Sequence, residues 1–270
     1  MAYADYTTLR IVVDGGIARA TVDHPPINLL DLDLILELDR FGQEVEADDE
    51  VRVVVLDSAD PEFFVAHADV TLIQALPTED PEEETLGAFH TMVERFRTMP
   101  KVTIAVIEGI ARGGGSELAL AFDLRFAGER AVLAQPEVLV GIIPGGGGTQ
   151  RLPGLVGRGR ALEIILGGDD IDAVLAERWG YVNRSLRDGE LGPFVDALAQ
   201  RIAGLPPGVI ALAKEAVDTA AGDPAPGLLV EEKLFRQSLR DPAAGERMTA
   251  FMAAGGQTRE VERHGFPGAY

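Results

Sequence analysis

Val102-Thr103-Ile104-Ala105-Val106-Ile107, then Glu108-Gly109-Ile110-Ala111-Arg112, then Gly113-Gly114-Gly115-Ser116-Glu117-Leu118-Ala119-Leu120-Ala121-Phe122 is the stretch from which the fold of this 270-residue chain is read. The first six residues are β-branched or small and uncharged, which suits a strand. The run leads directly to three glycines, and Ser116 to Phe122 reads as an apolar helix. A helix start leaves its first N–H groups without partners and gathers partial positive charge, so it can receive an anion or a developing oxyanion. Glycine lets a ligand approach the backbone closely. Glu117 lies three residues after Gly114, so its carboxylate and the Gly114 N–H can border one space. The same residues equally satisfy a structural reading, a tight strand-to-helix connection with Glu117 serving the helix dipole. A phosphate loop is excluded because no Gly-Lys-Ser/Thr follows, and the contiguous glycines lack dinucleotide-fold spacing.

Outward from this stretch, strand and helix signals alternate, which indicates an α/β fold. Leu9, Ile11 and Val13, the turn Asp14-Gly15-Gly16, then Ile17, Ala18, Ala20 and Val22 read as a β-hairpin. His24-Pro25-Pro26 ends it. Asp31 can cap a helix to about Ala47 through Leu34, Leu38 and Phe41. Val51 to Leu56 reads as a strand covered on both faces. Phe63 to Ala66 is a second short strand, followed by a helical turn from Val70 to Leu76. Pro77 to Glu84 carries five carboxylates, Glu79, Asp80, Glu82, Glu83 and Glu84, and reads as a solvated loop. A helix is expected from Glu82 to Thr98, stopped by Pro100. Leu124 to Ala127 reads as a strand, and a second glycine cluster spans Gly145 to Gly148. Beyond it Arg158 to Leu166, Asp172 to Trp179, Pro193 to Gly204, Val209 to Ala220 and Pro226 to Arg240 read as helices, with only Tyr181 to Ser185 strand-like. A boundary near Gly192 divides an α/β core, residues 1–192, from a C-terminal helical oligomerisation region, residues 193–270. The tail from Gly255 to Tyr270 is expected to be ordered only against a neighbour.

Composition narrows the function classes. With 24 Lys plus Arg against 44 Asp plus Glu the net charge is −20, which argues against nucleic acid and against an anionic membrane surface. Hydrophobic residues at 46% and charged residues at 25% are globular usage. The absence of Cys excludes disulfides and thiolate chemistry and suits a reducing compartment. No stretch approaches the roughly 18 apolar residues needed to span a bilayer, and MAYADYTTLR has no leader pattern, so the chain reads as cytoplasmic.

Two further segments can carry chemistry. In Ala134-Gln135-Pro136-Glu137-Val138, Pro136 would hold Glu137 at the end of a short strand among apolar neighbours. Desolvation there would raise its pKa and suit it to proton transfer near neutrality. In Phe63-Phe64-Val65-Ala66-His67-Ala68-Asp69-Val70 an apolar strand stops at a turn whose backbone N–H groups could supply a second donor. His67 reads there as a solvated turn residue. His24, His90 and His264 are scattered and form no metal-binding pair, so no metal is expected.

Taken together these segments resemble the crotonase, or enoyl-CoA hydratase/isomerase, superfamily. The resemblance rests on Ile107-Glu108-Gly109, on Gly113 to Leu120 with Asp123, on Gln135-Pro136-Glu137 with Gly141, and on Pro144-Gly145 with Gly147 to Leu152. His24-Pro25-Pro26 with Asn28, and Ala176 with Gly180 and Val182, match as well, so that it covers roughly residues 8 to 220. It implies a spiral of ββα units followed by a C-terminal helical region. It also implies homotrimers or homohexamers, an acyl-CoA thioester substrate, and no metal or redox cofactor, coenzyme A being part of the substrate. By resemblance the thioester oxygen is held by the N–H groups of Ala68 and Gly114, with Ala66, His67 and Gly113 beside the substrate. Two such preorganised donors fit the reading above, removal of one typically costing ~3 kcal/mol.

Hydratases of the family carry two glutamates, which match Glu117 and Glu137. Retention of both implies hydration of a trans-2-enoyl-CoA, Glu117 taking the proton of water and Glu137 protonating the α-carbon. The alternatives are an enoyl-CoA isomerase, which commonly keeps only the second carboxylate, and a binding or assembly protein without hydratase activity. Three departures stand out: His67 where the family usually has glycine, acidic segments at 57–69 and 77–84, and a tail, Gly255-Gly256-Gln257-Thr258-Arg259-Glu260, unlike the usual ending. Arg112, Arg151, Arg158 and Lys214 are the candidates for coenzyme A phosphates, each equally readable as a structural or surface charge.

Overall fold

The computed structural model describes residues 3–79 and 85–266. The hairpin forms as expected. β1 (Leu9–Asp14) and β2 (Ile17–Val22) pair antiparallel with Leu9 opposite Val22, and β2 buries Ala18, Ala20 and Val22 at period two. α1 (Leu32–Ala47) starts at Asp31, whose side chain accepts from the Leu34 N–H at 3.0 Å. Leu34, Leu38, Phe41 and Val45 form its buried stripe, and full burial of each such side chain contributes about 1.5–3 kcal/mol.

A spiral follows in which each turn gives one strand to each of two sheets. β3 (Val53–Ser58) and β4 (Phe63–Val65) lead to α2 (Val70–Gln74) and α3 (Ala88–Thr98). β5 (Val102–Ile107) and β6 (Ile110–Arg112) lead to α4 (Gly114–Leu120). β7 (Leu124–Gly128) and β8 (Val132–Ala134) lead through a 3-10 turn, Glu137–Val140, to α5 (Gly148–Val156) and α6 (Arg158–Gly167). β9 (Ile171–Asp172), α7 (Ala173–Trp179) and β10 (Arg184–Leu186) complete the sheets. The larger sheet has the order β1-β2-β3-β5-β7-β10 and the smaller β4-β6-β8-β9. Pairing is parallel from β2 through β10 in the first and from β4 to β8 in the second.

Five helices end the described chain: α8 (Leu191–Ala203), α9 (Pro207–Ala221), α10 (Ala225–Leu239), α11 (Pro242–Ala253) and α12 (Arg259–Glu262). The α8 side chains Leu191, Val195 and Ala199 pack on Val53, Val55, Ile104 and Phe126 of the larger sheet. The opposite face of that sheet looks into the main core, which includes Phe41, Val54, Leu56, Phe96, Ile107 and Leu118. Among the described residues no helix is long and apolar enough to cross a membrane.

Several expectations are corrected. β5 does not feed the apolar helix directly: a bend at Glu108-Gly109 moves the chain into the smaller sheet, and β6 delivers the glycines to α4. The helix expected from Glu82 begins at Ala88, where Gly87 is its N-cap. Asp80 to Glu84, most of the acidic loop and the start of that expected helix, lie outside the described residues. Glu137 opens a 3-10 turn rather than ending a strand. Two helices had no periodic signal to announce them. α5 starts inside the glycine cluster and contains Pro153, and α11 starts at Pro242 with Asp241 accepting from the Ala243 N–H at 2.9 Å.

The tail is also corrected, because up to Phe266 it packs on its own chain. Gln257 Nε2 donates to Asp69 Oδ1 at 2.8 Å, and Arg259 pairs with Asp60 and Glu62 beside the hairpin exit.

Candidate active site

Two backbone N–H groups are brought together by the approach of β4 to the start of α4. A side chain at Gly115 would place its Cβ 2.0 Å from the Val65 carbonyl oxygen, so only glycine permits this contact. Gly113 turns the chain into the helix at φ +46°, and its N–H donates to Ala134 O at 3.0 Å. The neighbouring Gly114 sits at the first helical position, where an N–H has no intrahelical partner. A Cβ built there would lie 3.2 Å from Ala68 N. The turn carrying Ala68 is pinned from behind: Leu30 N–H donates to His67 O at 2.9 Å and Asp69 N–H to Leu30 O at 3.0 Å. That bridge uses the groups on either side of Ala68 N–H and leaves it outside.

Both amides border a cavity of about 330 Å³ whose wall includes His67, Ala68, Gly113, Gly114, Glu117 and Glu137, with Leu72, Ile73, Phe89, Val140 and Phe235 as apolar lining. Glu117, on the first turn of α4, is 4% exposed. Its Oε1 accepts from the N–H groups of Gly146 and Gly148 at 2.8 and 2.9 Å. Burial, reinforced by the nearby carboxylate of Glu231, pushes its pKa up to about 7. Glu137 reaches the same cavity from the 3-10 turn, and among the described residues both of its carboxyl oxygens are buried without a hydrogen-bond partner. Burial and then the charge of Glu117 hold its pKa well above the ordinary carboxylate range. A Cβ at Gly113 would meet Glu137 Oε1 at 3.1 Å, and one at Gly146 would meet Glu117 Oε2 at 2.6 Å, so glycine backbone flanks both carboxyls. The paired environments push the two groups apart: one carboxylate has two N–H donors and the other has none.

Ala66 lies beneath the cavity and not on its wall. Its backbone accepts from Arg112 N–H at 3.0 Å, and its methyl packs with Ile27, Phe63 and Ile110. His67 is corrected more sharply, being only 4% exposed. One ring nitrogen, Nδ1, lies 2.8 Å from Ala68 O and the other, Nε2, 3.1 Å from Glu262 Oε1. Phe251 and Phe266 meet the ring edge-on at 5.7 and 5.6 Å. The reason is the tail, which returns over this turn and covers the histidine.

Three of the four cations proposed for coenzyme A phosphates are engaged elsewhere. Arg112, 1% exposed, forks onto Asp170 at 2.7 and 2.8 Å and donates to Glu262 O. Arg151 pairs with Glu94 at 2.6 Å, and Lys214 with Asp123 at 2.8 Å.

The family model described as Enoyl-CoA hydratase/isomerase matches residues 13–255. This chain belongs to the enoyl-CoA hydratase/isomerase family. The short-chain-enoyl-CoA hydratase of Clostridium acetobutylicum is 35% identical over 252 residues, covering 92% of this chain and 94% of that protein. The crotonyl-CoA hydratase of Syntrophomonas wolfei is 36% identical over 250 residues, covering 92% and 95%. A crystal structure from Streptomyces avermitilis superposes with a TM-score of 0.89 at 41% identity, covering 96% of each chain. The crotonase spiral expected from the sequence is thus the fold of this enoyl-CoA hydratase/isomerase family member.

The local sequence assigns the second glycine cluster no role and does not single out Glu231. That glutamate follows Leu228 and precedes Phe235, two buried side chains of α10, so it occupies a position on the helix's apolar stripe. A carboxylate at such a position is the signal that could have found it.

Proposed function

We propose that the chain is a hydro-lyase that adds water reversibly, and in the syn sense, across the double bond of a trans-2-enoyl-CoA thioester. The N–H groups of Ala68 and Gly114 hold the thioester oxygen, and they stabilise the enolate-like charge that grows on it as the β-carbon is attacked. Water lies between the two carboxyls. Glu117, supported by two N–H donors, is the carboxylate and takes a proton from the water as its oxygen bonds to the β-carbon. Glu137, which has no donor to support a charge, is the acid and gives its proton to the α-carbon. One proton returns from Glu117 to Glu137 through solvent, which closes the cycle. Coenzyme A enters only as part of the substrate, and no electrons are transferred in these steps.

The observation that carries the reading is the pair of buried carboxyls, unequal in hydrogen bonding, on one cavity with two convergent amides. The test is loss of absorbance of crotonyl-CoA and longer trans-2-enoyl-CoAs, measured with Glu117→Gln and Glu137→Gln. Wild-type turnover in both variants would refute the two-carboxylate mechanism. Activity on 3-enoyl substrates that survives Glu117→Gln but not Glu137→Gln would make the chain an isomerase, and tight acyl-CoA binding without turnover would make it a binding protein. The proposal extends to self-assembly as trimers or paired trimers, supported by Val209, Leu212 and Val217, which α9 leaves 54–68% exposed. Sedimentation equilibrium at three or six times 28.8 kDa checks it.

A further inference from the structure

Behind Glu117 lies a third buried carboxylate that the proposed reaction does not use. Glu231 on α10 is 1% exposed. Its Oε1 accepts from the Gly147 N–H at 2.6 Å and lies 3.2 Å from His90 Nε2. Its Oε2 accepts from the Thr149 N–H at 2.9 Å and from the Thr149 hydroxyl. Four successive N–H groups, running from the glycine-rich loop into the first turn of α5, therefore alternate between two carboxylates: Gly146 and Gly148 donate to Glu117, Gly147 and Thr149 to Glu231. His90, itself 1% exposed, has Nδ1 3.6 Å from Glu232 Oε2, so the ring sits between the two acidic side chains of α10.

A loop this rich in glycine has many conformations open to it, and only contacts on both sides restrict it to one. Arg151 supplies a further contact by donating to Gly146 O at 2.9 Å. On the α10 side the restraint is Glu231. We propose that Glu231, held by His90, is a positioning residue for hydration: it fixes residues 146–149, where the glycine-rich loop enters α5, so that the Gly146 and Gly148 amides meet Glu117 and keep the base in register with its water. The inference rests on the proposed role of Glu117 and deepens it, because it makes a C-terminal helix part of the machinery that aims the base. Displacement of a reacting group by about 1 Å can cost on the order of a hundredfold in rate.

The test is Glu231→Gln, which keeps the shape of the side chain but presents one acceptor in place of two. Turnover of crotonyl-CoA should fall on the order of tenfold to a hundredfold with KM within about twofold of wild type, a split that general destabilisation would not give. Amide hydrogen exchange read by NMR, which needs no substrate, should be faster at Gly146 and Gly148 and unchanged at Val106 in β5. Unaltered exchange at the two glycines, or wild-type turnover, would overturn the proposal. If Glu231→Gln does not fold, Thr149→Val removes the hydroxyl, with its bond to Glu231 and the one it accepts from Gln150 Nε2, and keeps the Thr149 N–H on Glu231; the same changes, smaller, are expected, and wild-type exchange with wild-type turnover would again overturn it. A wild-type chain inactive on every enoyl-CoA would refute the proposed function, and the exchange data would still decide the role of Glu231.

Discussion

Glu117→Gln should slow the enzyme and stabilise it at once. The amide oxygen of glutamine can accept the same N–H groups of Gly146 and Gly148 that Oε1 now accepts, so the loop is kept. The base is lost, and general-base removal lowers turnover by about 10²–10⁴-fold. The wild-type carboxyl, meanwhile, is buried and its pKa is raised from 4.5 to about 7. At about 1.4 kcal/mol for each tenfold change in proton affinity, that difference amounts to about 3 kcal/mol. Below pH 4.5 the group is protonated in folded and unfolded chains alike and costs nothing. As pH rises from there to about 7 the unfolded chain releases its proton first, so wild-type stability falls, and above 7 the full cost is present. Glutamine never ionises. Urea denaturation should therefore find the variant equal to wild type near pH 4.5 and more stable by up to about 3 kcal/mol at pH 8. Equal stability at pH 8 would refute the burial argument, and undiminished hydration would refute the assignment of the base.

Other expectations follow from the same geometry. In the wild type kcat/KM for crotonyl-CoA should rise as pH climbs through about 7 because Glu117 must shed its proton to act, and a flat profile between pH 5.5 and 8.5 would contradict that. His67→Gly leaves the buried Glu262 carboxylate without its histidine and the Phe251 and Phe266 rings without their edge contact. Glu262 keeps Arg112 at 3.6 Å and the Gln257 N–H at 2.9 Å, so the change should cost about 1.5–3 kcal/mol in urea denaturation and expose the tail to proteolysis, and wild-type resistance to both would count against His67 as an anchor of the tail. Gly115→Ala would drive a methyl into the Val65 carbonyl, so the variant should be insoluble or unfolded by circular dichroism, whereas a native spectrum would contradict the contact.

What could be read from the sequence was whatever is decided within a few residues. The hairpin at Asp14-Gly15-Gly16, the cap at Asp31 and the apolar helix after Gly115 rest on turn chemistry, capping and periodicity, and all three form. The bend that carries the chain from β5 to β6 was not legible, because apolar residues on either side of Glu108-Gly109 look alike whichever sheet they enter. Glu117 and Glu137 were identifiable as candidates, while their inequality was not. The two donors to Glu117 come from residues 146 and 148, far along the chain, and Glu137 is distinguished by having none. The burial of His67 is illegible for the same reason: it is caused by Phe251, Glu262 and Phe266, to which no local pattern around position 67 points.

Hydration of crotonyl-CoA in deuterium oxide, with the product resolved by NMR, asks most directly whether the two carboxyls serve one face of the substrate. Deuterium at the α-carbon and oxygen at the β-carbon should arrive on the same side, giving a single diastereomer. Delivery to opposite sides, or a mixture of both, would mean that Glu117 and Glu137 do not share one water.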